Sequence, residues 1–181
     1  MQAEDRVFLR DHDFGPENDP DRSAHGLVPA WSALIGCIGL SLLLGAANAA
    51  ALRPDTQGWL LSLAAPPGLL PARLVAPAWA ALSLPSGFAA WLAWREPEHR
   101  RALLLWGWHL LAFAVWLQCL LTLRLPAVAL LASAALMLLA SATAVAFYRL
   151  RRLAGVLLFP SIAWTCYAAY VSAGLWWLNR G

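Results

Sequence analysis

One histidine stands alone in a long uncharged stretch. His109 lies between Arg101 and Arg124, and no Asp, Glu, Lys or Arg occurs between those two arginines. Its helical neighbours are aromatic. Trp106, His109, Phe113 and Trp116 follow one another at spacings of 3, 4 and 3 residues, which is one face of a helix. A second such series is Pro160, Trp164, Tyr167 and Val171, spaced 4, 3 and 4. Two chemistries fit these faces. They could line a pocket for a flat hydrophobic ligand, or they could pack helix on helix. The imidazole could donate a hydrogen bond to a backbone carbonyl, or serve as an axial ligand to the metal of a tetrapyrrole. An ionisable group at membrane depth is a functional candidate by default. One His with no Cys, Asp, Glu or second His beside it does not define a metal site of its own. Paired carboxylates, a Gly-rich phosphate loop and a nucleophile–base signature are all missing from the apolar stretches, so catalysis is not expected.

The elements that must position these residues are membrane helices. The chain of 181 residues is 61% hydrophobic and 13% charged, against about 25% charged in a soluble domain. All 13 basic residues are Arg, and no acid follows Glu98. Five stretches reach the roughly 20 apolar residues needed to cross the hydrocarbon core: Leu27–Leu52, Leu74–Trp94, Ala102–Leu123, Pro126–Tyr148 and Leu153–Leu178. Backbone groups find no water in lipid, so each should be helical. The runs are long and rich in Leu and Ala, unlike the short alternating strands of a β-barrel. The expected fold class is an all-α membrane protein, a bundle of five transmembrane helices spanning 27–181. Most of the 11 tryptophans fall near span ends and read as interfacial anchors, whereas Trp79, Trp116 and Trp164 sit deeper. Cys37, Cys119 and Cys166 lie inside spans and read as small hydrophobes.

Residues 1–26 carry seven acids against Arg6, Arg10 and Arg22, a net charge of −4. This segment has little to bury and should be disordered alone. It could order against a partner through Val7, Phe8, Leu9 and Phe14. Its polar, acidic start also argues against a cleaved signal peptide. The loop 53–73 is long and contains Pro54, Pro66, Pro67 and Pro71. Asp55 could cap a short helix there, with Trp59 at the membrane interface. The other links are short, so neighbouring helices should run antiparallel. One side of the membrane then holds nine Arg and the other Arg53, Arg73, Arg124 and Arg180. The positive-inside rule places the N-terminus in the cytoplasm and the C-terminus with the loop in the periplasm.

Three blocks carry a family resemblance, over about Trp59 to Asn179. The first is Trp59-Leu60, Ala65-Pro66-Pro67-Gly68-Leu69-Leu70-Pro71 and Trp79. The second is His109 with Phe113-Ala-Val-Trp116. The third runs from Ala154 through Pro160-Ser-Ile-Ala-Trp164 to Leu178-Asn179. Together they resemble the TspO/MBR family of tryptophan-rich sensory or translocator proteins. The resemblance implies a five-helix bundle, commonly a homodimer, whose first loop lids a cavity that binds porphyrins and, in animals, cholesterol. Purple-bacterial members are tied to carotenoid and bacteriochlorophyll regulation. Porphyrin breakdown is proposed for some members, while binding is the settled property. This chain departs from the pattern at Phe113, Ser161, Ser172, Ala65 and Ser83, where Asn, Tyr, Asn, Lys and Tyr are usual. A site stripped of Lys and amide partners should hold propionates less well.

Two expectations follow. In the first, the chain is a receptor or transporter in a bacterial inner membrane for a tetrapyrrole, carotenoid or other flat apolar ligand, with no obligatory cofactor. Trp59, Trp79, His109, Phe113, Trp116, Pro160 and Trp164 would line the site, and the loop from Pro66 to Pro71 would close it. In the second, the cavity is filled and the chain is an accessory subunit of a pigment–protein complex, gripped through residues 1–26. Lipid is a partner in both, and nucleic acid in neither.

Overall fold

A computed structural model describes residues 29–180. The segment 1–26, with Val7, Phe8, Leu9 and Phe14, lies outside the described residues. The helices are α1 (Ala30–Ala49), α2 (Pro54–Ser62), α3 (Ala72–Trp94), α4 (His99–Leu117, continued by a π-helical turn at Gln118–Thr122), α5 (Pro126–Leu150), α6 (Arg152–Val156) and α7 (Phe159–Leu178); α2 lies in the loop and the other six make five spans. Among the described residues, five helical stretches are long and apolar enough to cross a membrane. Large apolar side chains cover the outside of the bundle: Leu131 and Leu138 on α5 are 73% and 70% exposed. In water that would be an aggregation surface; against lipid tails it is the proper solvent-facing side.

Burial inside the bundle is selective. Small and hydroxylated residues let helices approach closely, and α5 shows the device plainly. Ala129, Ser133, Leu136, Ala140, Thr143 and Phe147 recur at spacings of 3 or 4 and are buried. The Ser133 and Thr143 hydroxyls donate to the carbonyls of Leu130 and Leu139 at 2.7 Å each, so neither is stranded. This stripe seats α5 between α4 and α7. Helix α1 packs along α3, and the Trp91 indole ties their ends by donating to the Ala30 carbonyl at 2.8 Å. Between the α1/α3 pair and the α4/α5/α7 group the contacts are much sparser. The interior hollows lie along that seam.

Local chemistry moved three boundaries. The short loop helix begins at Pro54, with Arg53 rather than Asp55 at its N-cap. Proline has the helical φ built in and lacks an N–H that the first turn would leave unpaired anyway. Asp55 instead faces Arg53 at 3.4 Å and Arg124 at 3.9 Å. The fifth span is divided at Leu157–Leu158. Pro160 opens α7 because it cannot supply the N–H that would continue α6. At the end of α4 the π-helical turn shifts the helix face, keeping Leu117, Leu120 and Leu121 buried. Cys119 is buried as expected of a small hydrophobe, whereas Cys166 lies exposed on the outer face of α7.

Candidate functional site

The aromatic face of α4 points into the seam, and each of its members does something different. Trp106 donates to the Ser86 hydroxyl on α3 at 3.0 Å. It is buried, so it is a packing residue and not an interfacial anchor. Trp116 donates to the Ser172 hydroxyl on α7, also at 3.0 Å. Serine there still supplies an acceptor. Phe113 lies between two indoles, edge-on to Trp79 (centroids 5.8 Å apart, planes at 89°) and stacked on Trp116 (5.8 Å, 29°). Three aromatic rings thus form one wall.

Two cavities share that wall. The upper, of about 70 Å³, lies beneath the loop and is bordered by Leu60, Leu69, Leu70, Val75, Trp116 and Tyr167 among others. The lower, of about 50 Å³, lies deeper, bordered by Ser41, Ser83, Ser86, His109, Phe113, Ser161 and Thr165 together with apolar neighbours. Trp79 and Trp164 border both, so two indoles are the partition between chambers. Pockets for drug-sized ligands occupy roughly 300–1,000 Å³. Neither hollow, as it stands, has room for a ring-sized ligand.

Polar satisfaction separates this region from the rest of the interior. The Trp79 Nε1, Trp164 Nε1 and His109 Nδ1 atoms are buried without a hydrogen-bond partner. Each such atom costs about 1–3 kcal/mol, and native interiors keep few of them. Here three border one cavity. A fourth, Asn48 Nδ2, lies two turns along α1 from Ser41.

The loop is a lid fastened to α7. The Asn179 amide makes a two-sided clamp on Ala64, accepting from its N–H and donating to its carbonyl at 2.9 Å each. Tyr170 donates to the Pro67 carbonyl at 2.7 Å. The Tyr167 hydroxyl accepts from the Leu70 N–H at 2.7 Å and donates to the Gly68 carbonyl at 3.3 Å. Gly68 has φ of +78°, and the Pro67-Gly68 pair gives the type II turn that this requires. Pro66 is buried against Gly174, where an added Cβ would come within 2.6 Å of the proline ring.

The expected lining residues therefore separate into two groups. Trp79, His109, Phe113, Trp116 and Trp164 converge on the chambers. Trp59 borders neither; it packs beneath the Arg124 guanidinium, 5.6 Å from ring centroid to Cζ. Pro66 and Pro71 belong to the lid and to the start of α3. Pro160 is exposed at the opening of α7, where its role is to start a helix. Spacing could not distinguish Pro160 from Trp164, because both occupy one helical face and differ in depth. Sequence reasoning missed Tyr170 and Gly174 as lid contacts. The only signal for them was their position one or two turns before Asn179.

A five-helix membrane bundle with a loop latched over a divided aromatic hollow defines the class: a lidded integral membrane protein of the TspO type. The chain belongs to the TspO/MBR family, whose model matches residues 37–178. It is 27% identical over 159 residues to the protein named Translocator protein of Bos taurus, covering 85% of this chain and 94% of that one.

Proposed function

We propose that the chain binds a flat hydrophobic ligand, of tetrapyrrole, carotenoid or similar shape, between the α1/α3 pair and the α4/α5/α7 group, and that binding serves sensing or transport. The observation that carries this reading is the pair of indoles, buried Trp79 and half-buried Trp164, whose buried N–H groups are unpaired and which both border two chambers beneath a latched lid. A packed structural core would have matched those donors, as it does for Trp106 and Trp116. The chambers merge when the indoles rotate, and the lid can release because side chains alone hold it. The excess of Arg on the side away from the lid supports an orientation with that side in the cytoplasm and the lid on the opposite face of the membrane, the periplasmic face if the membrane is a bacterial inner one.

The test is a titration of the full chain in lipid nanodiscs with protoporphyrin IX and with a carotenoid, read by tryptophan quenching. Trp116→Ala and Trp164→Ala should each weaken binding beyond a hundredfold, the range of a central aromatic contact. Unchanged affinity in both variants contradicts the reading.

A second reading has its own observation. The chambers are small and Phe113 fills the space between Trp79 and Trp116. A chain that had closed its cavity would look similar, and would act as an accessory subunit of a pigment–protein complex through residues 1–26. Deleting those residues should release a partner protein under this reading and leave ligand affinity intact under the first.

A further inference from the structure

The lower chamber differs in chemistry from the upper one, and the difference specifies part of the ligand. The upper chamber is walled by aliphatic and aromatic side chains, and its one hydroxyl, that of Tyr167, is already engaged by the lid backbone. The lower chamber gathers polar groups from four helices: Ser41 from α1, Ser83 from α3, His109 from α4 and Ser161 from α7, with the Trp79 and Trp164 indoles above them. Trp79 is 3% exposed and His109 5%, and their Nε1 and Nδ1 atoms have no partner. Among the described residues, no Asp, Glu, Lys or Arg borders either chamber.

We infer that the lower chamber receives an uncharged polar head, a carbonyl or hydroxyl oxygen on an otherwise apolar ring or chain, and that His109 sets this specificity. The inference rests on the ligand-binding reading above and narrows its ligand class. The physical reasons are three. An indole can only donate, so two unpaired indoles call for an acceptor. Imidazole and hydroxyl groups both donate and accept, so they can match a carbonyl or a hydroxyl. A carboxylate entering at this depth would shed its water with no cation to face it, which the protein interior penalises heavily. A plain hydrocarbon would leave the three nitrogen atoms unmatched. Its apolar body would suit the upper chamber, while the lower one discriminates by head group. Sites built to hydrogen-bond a substrate group discriminate strongly against analogues that lack it.

A series of retinoids that share one polyene and differ at the head separates these cases: retinol, retinal, ionised retinoic acid and the hydrocarbon deoxyretinol. The chain has no lysine side chain on which retinal could be trapped as an imine. Titrations use the full chain in nanodiscs at alkaline pH, read by tryptophan quenching. Retinol and retinal should bind at least roughly tenfold tighter than the acid and the hydrocarbon, the scale of one net hydrogen bond. His109→Leu should lower that preference severalfold by weakening retinol and retinal more than deoxyretinol, with the two indoles keeping the remainder, a head-selective loss that a merely structural histidine would not give. His109→Gln, which keeps a donor and an acceptor, should retain most of the preference. Equal affinity for all four heads in the wild-type chain overturns the head-group assignment and leaves the ligand-binding reading standing. An unaltered preference in His109→Leu overturns the role of His109. If no member binds, and protoporphyrin IX and the carotenoid do not bind either, both readings fall together.

Discussion

The two ends of the bundle are built from similar residues and finished differently. Away from the lid, Ala89, Ala90, Ala93, Trp106, Phe147 and Leu158 form a closed cluster in which the buried indole finds the Ser86 hydroxyl, and the Trp91 indole at its edge finds the Ala30 carbonyl. Towards the lid, Trp79, Trp116, Leu117, Leu120 and Val171 form a second cluster that encloses space. There, two of three neighbouring indoles have no acceptor. Alanines between helices close the first end, and large rings set edge to face leave space at the other. One end is closely packed and the other encloses two small hollows.

Substitutions at matched positions should sharpen that contrast. The largest effect on stability is expected at the closed end. Phe147 is fully buried, and Phe147→Ala should cost on the order of 3 kcal/mol by leaving a cavity, read as reversible unfolding in mixed micelles. Ligand affinity should barely change. A smaller effect separates two tryptophans. Trp106→Phe removes the donor to Ser86 and should destabilise by about 1 kcal/mol. Trp79→Phe removes an N–H that has no partner, so the free protein should keep its stability or gain slightly, while ligand affinity falls. Equal destabilisation by both would break the comparison, because it would mean that Trp79 is satisfied as Trp106 is. The smallest effect on global stability is expected at the lid. Asn179→Leu removes the clamp on Ala64, and Gly174→Ala pushes Pro66 outward. Hydrogen exchange at residues 64–70 should rise about tenfold in each, the scale of losing one hydrogen bond, with unfolding nearly unaltered.

Much of this was legible in the chain. Hydropathy alone set the five spans to within a few residues, because length and apolarity are all a bilayer asks of a helix. The 3-and-4 spacing brought Trp106, His109, Phe113 and Trp116 to one face, since helical geometry is periodic. Depth and pairing were not legible. Whether Trp79 or Trp106 meets a serine depends on helix rotation, and nothing local encodes it. The lid contacts join residues about 100 positions apart: Tyr170 with Pro67, and Asn179 with Ala64. Periodicity is silent on such pairs. The break before Pro160 was readable as a proline signal but was hidden by the continuous hydropathy of the fifth span.

The central claim is that the hollow end holds a ligand. The most direct test is purification from the native membrane in mild detergent, with absorption spectra and mass spectrometry of everything that accompanies the chain. The account predicts a hydrophobic small molecule in stoichiometric amount, absent from Trp164→Ala prepared in the same way. Bulk lipid alone, together with a stably attached partner subunit that dissociates when residues 1–26 are removed, would contradict it.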